Sequence, residues 1–210
     1  MGILVIQDHA SCTHLAAPHI VRTQKFVCAL AHAPMILSTD YVDDCLSENR
    51  RLDPNDYLLE DTEGEKRMGH KLTDAITRAK TNKGKLLRGH SIYCTEGVNG
   101  GFDIYKAIVE VNGGKCLLYR ARAGSNPALR AGVEEDPSDT ESGEPESVYL
   151  ISGHTPEEAK LWPRFRQMVQ DAGKVPIVVR NDWLLNSALS QEFRWQDYYA
   201  LTEKDVGSAA

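Results

Sequence analysis

The run T-H-L-A-A-P-H-I-V-R-T-Q-K-F, residues 13–26, decides how the chain is read. Thr13 to Ala17 is an apolar strand closed by Pro18, whose ring removes a backbone donor. Thr23 to Ala31 then carries Phe26, Val27, Ala29 and Leu30 as a helical stripe. Pro34 stops the helix, and Met35-Ile36-Leu37 is a second short strand. Short strands alternating with helices imply a parallel sheet covered by helices. The start of this helix is cationic, with Arg22 and Lys25 flanking Thr23. Free N–H groups and the positive dipole end lie beside a full charge there, which makes an anion pocket. The plain alternative is an exposed first turn.

Working outward, Ile3 to Ile6 is expected to be a strand and Asp8 to Ser11 a turn. Ser38 or Thr39 caps a helix bearing Tyr41, Val42, Cys45 and Leu46. Asn49 to Pro54 ends it. Asp61 to Arg67 is a polar linker, and Lys71 to Ala79 a connecting helix with Leu72, Ala75, Ile76 and Ala79 on one face. The cluster Lys80, Lys83 and Lys85 is a solvated face. The second half gives a strand at Ser91 to Cys94 and a helix at Phe102 to Val111, with Asn112-Gly113-Gly114 as its C-cap. Further strands follow at Cys116 to Tyr119, Val148 to Ser152 and Val175 to Val179. Helices are expected at Trp162 to Ala172 and Asp182 to Leu189. The stretch 134–146 is acidic and lacks any basic residue, so 130–147 is a disordered surface insertion. The two halves repeat one plan. Each has an aromatic near the start of its final helix, Tyr41 and Trp183. Each closes on a D-Y segment, Asp56-Tyr57 and Asp197-Tyr198-Tyr199.

Composition bounds the function. The 210 residues, 41% hydrophobic, suit one or two domains with a real core. The net charge of −6 argues against a general reader of the phosphate backbone, so no direct nucleic-acid contact is expected. No apolar run is long enough to span a bilayer, no basic leader precedes Ile3, and no membrane contact is expected. The five cysteines lack a C-x-x-C pair and sit in apolar contexts, as reduced, buried residues would. His9, His14 and His19 recur every five residues, a spacing that converges on no metal. Hydrolase, phosphate-loop and zinc-protease motifs are missing. Gly97 to Gly101 joins a strand to a helix but lacks the lysine of a phosphate loop, so it is a turn. Neither catalysis nor a cofactor or metal is expected.

Together the residues resemble a known family. T-H-L-A-A-P (13–18), R-T-Q-K-F (22–26) and the helix with Tyr41 look like the later part of a BRCT repeat. K-L-L-R-G-H-S-I-Y (85–93), N-G-G (112–114) and Trp183 resemble a complete one. The fold class implied is α/β: two BRCT-like repeats, each a parallel sheet of four strands when complete, flanked by helices and joined by a linker helix. The domains would be repeat 1 at 1–60, the linker at 61–83, repeat 2 at 84–201 and a tail at 202–210. The first repeat would lack its opening strand and helix. The run at 13–26 most resembles the C-terminal pair of the fungal multi-BRCT genome-maintenance scaffolds. That resemblance implies a non-catalytic nuclear module of the DNA-damage response. Its partners would be a phosphorylated protein tail, with damage-phosphorylated histone as candidate, and other DNA-repair proteins. By position, Thr23 and Lys25 would hold the phosphate. Arg22, Val27 and Leu185 would contact the peptide. The alternatives are a BRCT pair that joins proteins without reading phosphate, and a small α/β enzyme.

Overall fold

The computed structural model describes residues 2–8, 11–120 and 146–206. His9 and the acidic insertion as far as residue 145 lie outside them, as do the last four residues of the tail. Two compact units are present. One comprises 1–86 with 185–193, the other 87–184 with 194–210.

In the first unit, β1 (His14–Ala16) pairs in parallel with β2 (Met35–Leu37), Leu15 opposite Ile36. Between them runs α1 (Gln24–Leu30), with Phe26 through Leu30 all buried. After β2 comes α2 (Asp40–Ser47), whose Tyr41 and Cys45 pack with Leu37. The D-Y segment Pro54–Tyr57 is a turn of 3-10 helix. It returns the chain to β2, where Leu58 bridges Leu37 antiparallel and the Leu59 N–H donates to Ile36 O at 2.9 Å.

Two expectations in this unit are corrected. Ile3 to Ile6 is not a strand: it has no ladder partner among the described residues, and Leu4 and Val5 are each 83% exposed. Apolar β-formers alone do not make a strand, because the backbone N–H and C=O groups need a neighbour. Asp61 to Arg67, expected as a polar linker without a helix of its own, is helical: it caps and forms most of α3 (Thr62–Met68). Its signal is in its ends and not in an apolar stripe. The Asp61 carboxylate accepts from Gly64 N–H, acids fill the first turn, bases the last, and Gly69 closes it at φ 70°. The connecting helix α4 (Leu72–Asn82) follows, burying Leu72, Ala75 and Ala79.

The second unit holds a four-stranded parallel sheet. Its elements are β3 (Ser91–Thr95), α5 (Phe102–Val111), β4 (Lys115–Tyr119), β5 (Ser147–Ile151), α6 (Pro156–Ala159), α7 (Trp162–Asp171), β6 (Val175–Val179) and α8 (Asn181–Ser190). The strand order is β4-β3-β5-β6, with Ile92 opposite both Cys116 and Tyr149. Alternate residues face opposite sides. Tyr93, Tyr119, Val148 and Leu150 join Trp162, Phe165 and Val169 in one core. The rings of Tyr93 and Tyr119 meet Phe165 edge-on at 5.7 and 5.5 Å. Tyr149 stacks on Trp183 at 4.5 Å and 15°. Both faces are therefore filled, as a parallel sheet requires.

The repeated plan has a structural counterpart. In this unit the D-Y-Y segment is again 3-10 helix, Asp197–Tyr199, and Ala200 bridges Val179 as Leu58 bridges Leu37. The short helix α6 has no apolar periodicity over four residues and was not anticipated.

Candidate functional site

The site is built where β1 hands over to α1. Thr23 sits at φ −73° and ψ 147°, an extended N-cap, and its hydroxyl accepts from the Phe26 N–H at 3.4 Å. Its carbonyl accepts from Val27 N–H at 3.0 Å, the first full helical bond. A hydroxyl that accepts from the backbone still has its own proton to give. Phe26 to Leu30 are drawn into the core, so Arg22, Thr23 and Lys25 are left exposed at the surface. This is the amphipathic logic of a helix used to present two cations and a hydroxyl.

The predicted residues separate by burial. Arg22 reaches the stretch that carries Leu185: its guanidinium donates to the Asn186 side-chain oxygen. Leu185 itself is half-buried. Val27 is completely buried. The structure thus places Arg22 beside the Leu185–Asn186 turn of α8, while Val27 supports the helix from beneath.

The surroundings set the charge. Asp8 is the near anion and accepts from the Ser11 hydroxyl at 2.7 Å. The Cys12 thiol is pushed up, mainly by burial. Its own backbone hydrogen bond pulls it down, the Asp8 carboxylate raises it, and the Lys25 ammonium lowers it. On the α2 side, a depression whose lining includes Asp40, Asp43, Asp44, Asp56 and Glu60 and no basic residue repels an anion. The Arg22–Lys25 turn carries the opposite sign of charge.

Of the five cysteines, Cys28, Cys45, Cys94 and Cys116 are buried as expected, but Cys12 is only partly so. Among the described residues no cluster of His, Cys, Asp or Glu is arranged to hold a metal, and no helix is long and apolar enough to cross a membrane. Sequence reasoning missed one polar group. Glu158 is only 6% exposed. T-P-E-E, 155–158, reads as a surface helix start. Aligning Thr155 with Thr23 through the repeat was the signal that could have marked it.

Comparison with known proteins bears on this geometry. The family model described as the Regulator of Ty1 transposition protein 107 BRCT domain matches residues 1–59. BRCT-containing protein 1 of Schizosaccharomyces pombe is 28% identical over 202 residues, covering 95% of this chain and 22% of that protein. Mediator of DNA damage checkpoint protein 1 of Homo sapiens is 40% identical over 89 residues, 42% of this chain and 4% of that protein. The chain thus spans at most about a fifth of the length of these relatives. Among solved structures, the S. pombe Brc1 BRCT5-BRCT6 domains align with a TM-score of 0.69 and 26% identity, over 95% of this chain and 86% of that one. A complex of Rtt107p with a phosphorylated histone aligns with a TM-score of 0.59 and 16% identity, over 90% of this chain and 76% of that one. The last likeness is one of fold alone.

Proposed function

Since the chain is a tandem BRCT module resembling the C-terminal pair of the fungal Rtt107 and Brc1 scaffolds, we propose that it is a non-catalytic reader of phosphoserine tails. The single observation that carries this is the exposed Arg22–Thr23–Lys25 turn, set on a helix whose next five residues are buried. Lys25 supplies the charge, Thr23 a hydroxyl donor, and Arg22 a guanidinium for the peptide main chain or its terminal carboxylate. Leu185, half-buried next to the residue that Arg22 bonds, supplies apolar surface for a residue downstream of the phosphoserine. Val27 holds that helix in place. The structural relative in complex with a phosphorylated histone supports a histone tail as the ligand class. The relative named for the DNA-damage checkpoint supports a place in that response, with DNA-repair proteins as partners and the nucleus as the site of action.

Calorimetry with a phosphoserine histone-tail peptide and its unphosphorylated form tests this. The phosphorylated peptide binds at least about tenfold more tightly, a difference of about 1.4 kcal/mol. Lys25→Glu removes the difference without unfolding the protein, because the side chain is exposed. Equal affinity of the wild type for both peptides would overturn the reading and leave a BRCT pair that joins proteins independently of phosphate.

A further inference from the structure

The second unit repeats the cap of the first with the charge reversed. Thr155 caps α6 as Thr23 caps α1: each hydroxyl accepts an N–H three residues on, from Glu158 at 3.3 Å and from Phe26 at 3.4 Å. Both threonines follow a strand, β5 and β1 respectively. In this register Lys25 corresponds to Glu157, and the buried Phe26 to the buried Glu158.

Glu158 also departs from the usual behaviour of its own motif. In a T-x-x-E start the glutamate turns back to the N–H of the cap residue. Here it turns inward. Its Oε1 accepts from the Thr95 hydroxyl at the end of β3. Its Oε2 is buried without a hydrogen-bond partner among the described residues. Two glycines make room for it. A Cβ on Gly153 would collide with Oε2, and one on Gly97 would come within 3.2 Å of the carboxyl carbon. A buried carboxylate with one oxygen unpaired costs free energy.

We propose that the Glu158 carboxylate is a resident anion: it comes from the position of Phe26 but reaches the turn between β5 and α6, which corresponds to the turn between β1 and α1 that carries Arg22 and Thr23, and so confines phosphate reading to the first unit. The buried Thr95 hydroxyl donates to Glu158 and also lies 3.5 Å from the Ile151 carbonyl oxygen, so beside Glu158 it is not left as a donor for a phosphate oxygen. The negative charge beside it repels any second anion. The inference rests on the phosphate reading of Lys25, and gives the module one phosphate site instead of two.

The test titrates inorganic phosphate into the full chain and follows backbone amide signals by NMR. In the wild type, Thr95, Gly97 and Gly153 do not shift in a saturable way. In Glu158→Ala and Glu158→Ser they do, with a millimolar Kd, because the Thr95 hydroxyl and the carboxylate's space are released. Saturable shifts at these three residues in the wild type would overturn the proposal. So would their absence in both folded variants. Loss of fold in both would overturn it as well, by making the carboxylate a structural core group. Where only one variant folds, that one decides. The amides of Thr23 and Lys25 report separately on the first unit, so a failure there is distinguishable from a failure at Glu158.

Discussion

Thr23→Ala separates capping from ligand contact at the residue scale. The cap bond to Phe26 N–H is long at 3.4 Å. Its loss therefore belongs at the low end of the range for N-caps, about 0.5 to 1 kcal/mol in chemical denaturation. A fall in phosphopeptide affinity much larger than that energy allows would identify the hydroxyl as a ligand group. The thiols offer a second check. Burial pushes Cys28 up to about 11 and Cys116 up to about 12, and raises Cys94 as well. The thiolate is the reactive form. At pH 8 a thiol reagent labels Cys12 first in the native protein, and these three only on unfolding. Rapid native labelling of Cys94 would contradict its burial. The exposure of Arg22, Thr23 and Lys25 was legible from the sequence because a helix start after a strand leaves a short list of exposed positions. Glu158 was not, since its burial depends on Thr95 and Gly97, distant in the chain, as well as on the nearby Gly153.

At the scale of elements, Asp61 shows how an end signal can outweigh a missing stripe. Its carboxylate accepts from Ile20 N–H and from Gly64 N–H, both at 2.8 Å, so one side chain caps α3 and ties down the loop after β1. These two backbone donors hold its pKa below the usual aspartate value. A depressed pKa contributes stability that is present above the unfolded value and lost as pH falls through the folded one. Denaturation at pH 7 and pH 3 should show the wild type losing more stability on acidification than Asp61→Asn. An equal loss in both would remove Asp61 from the acid response. The long helices and buried strands were legible because their apolar spacing is set by local geometry. The segment Ile3 to Ile6 failed as a strand because pairing is not local: the same residues need a neighbour to bond.

For the whole molecule, the repeat is the organising fact, and Trp183 is where it can be tested. Trp183 is completely buried and stacks on Tyr149, while Tyr41 meets Tyr57 edge-on at 5.4 Å in the corresponding helix. Trp183→Ala should destabilise the second unit by about 3 to 5 kcal/mol, read as an early transition of that unit in chemical denaturation. An unchanged transition would remove Trp183 from the core. The sequence by itself determined the α/β class, the parallel strands, the repeat and the cationic turn at Arg22 to Lys25. Each of these follows from spacing, capping and steric rules that act within a few residues. Only the tertiary structure decided that Val27 is buried beneath that turn and that Arg22 bonds Asn186 beside Leu185. It alone decided, too, that Glu158 turns inward to Thr95. Those outcomes depend on which distant segments share a core, where burial and desolvation, and not local preference, set the balance.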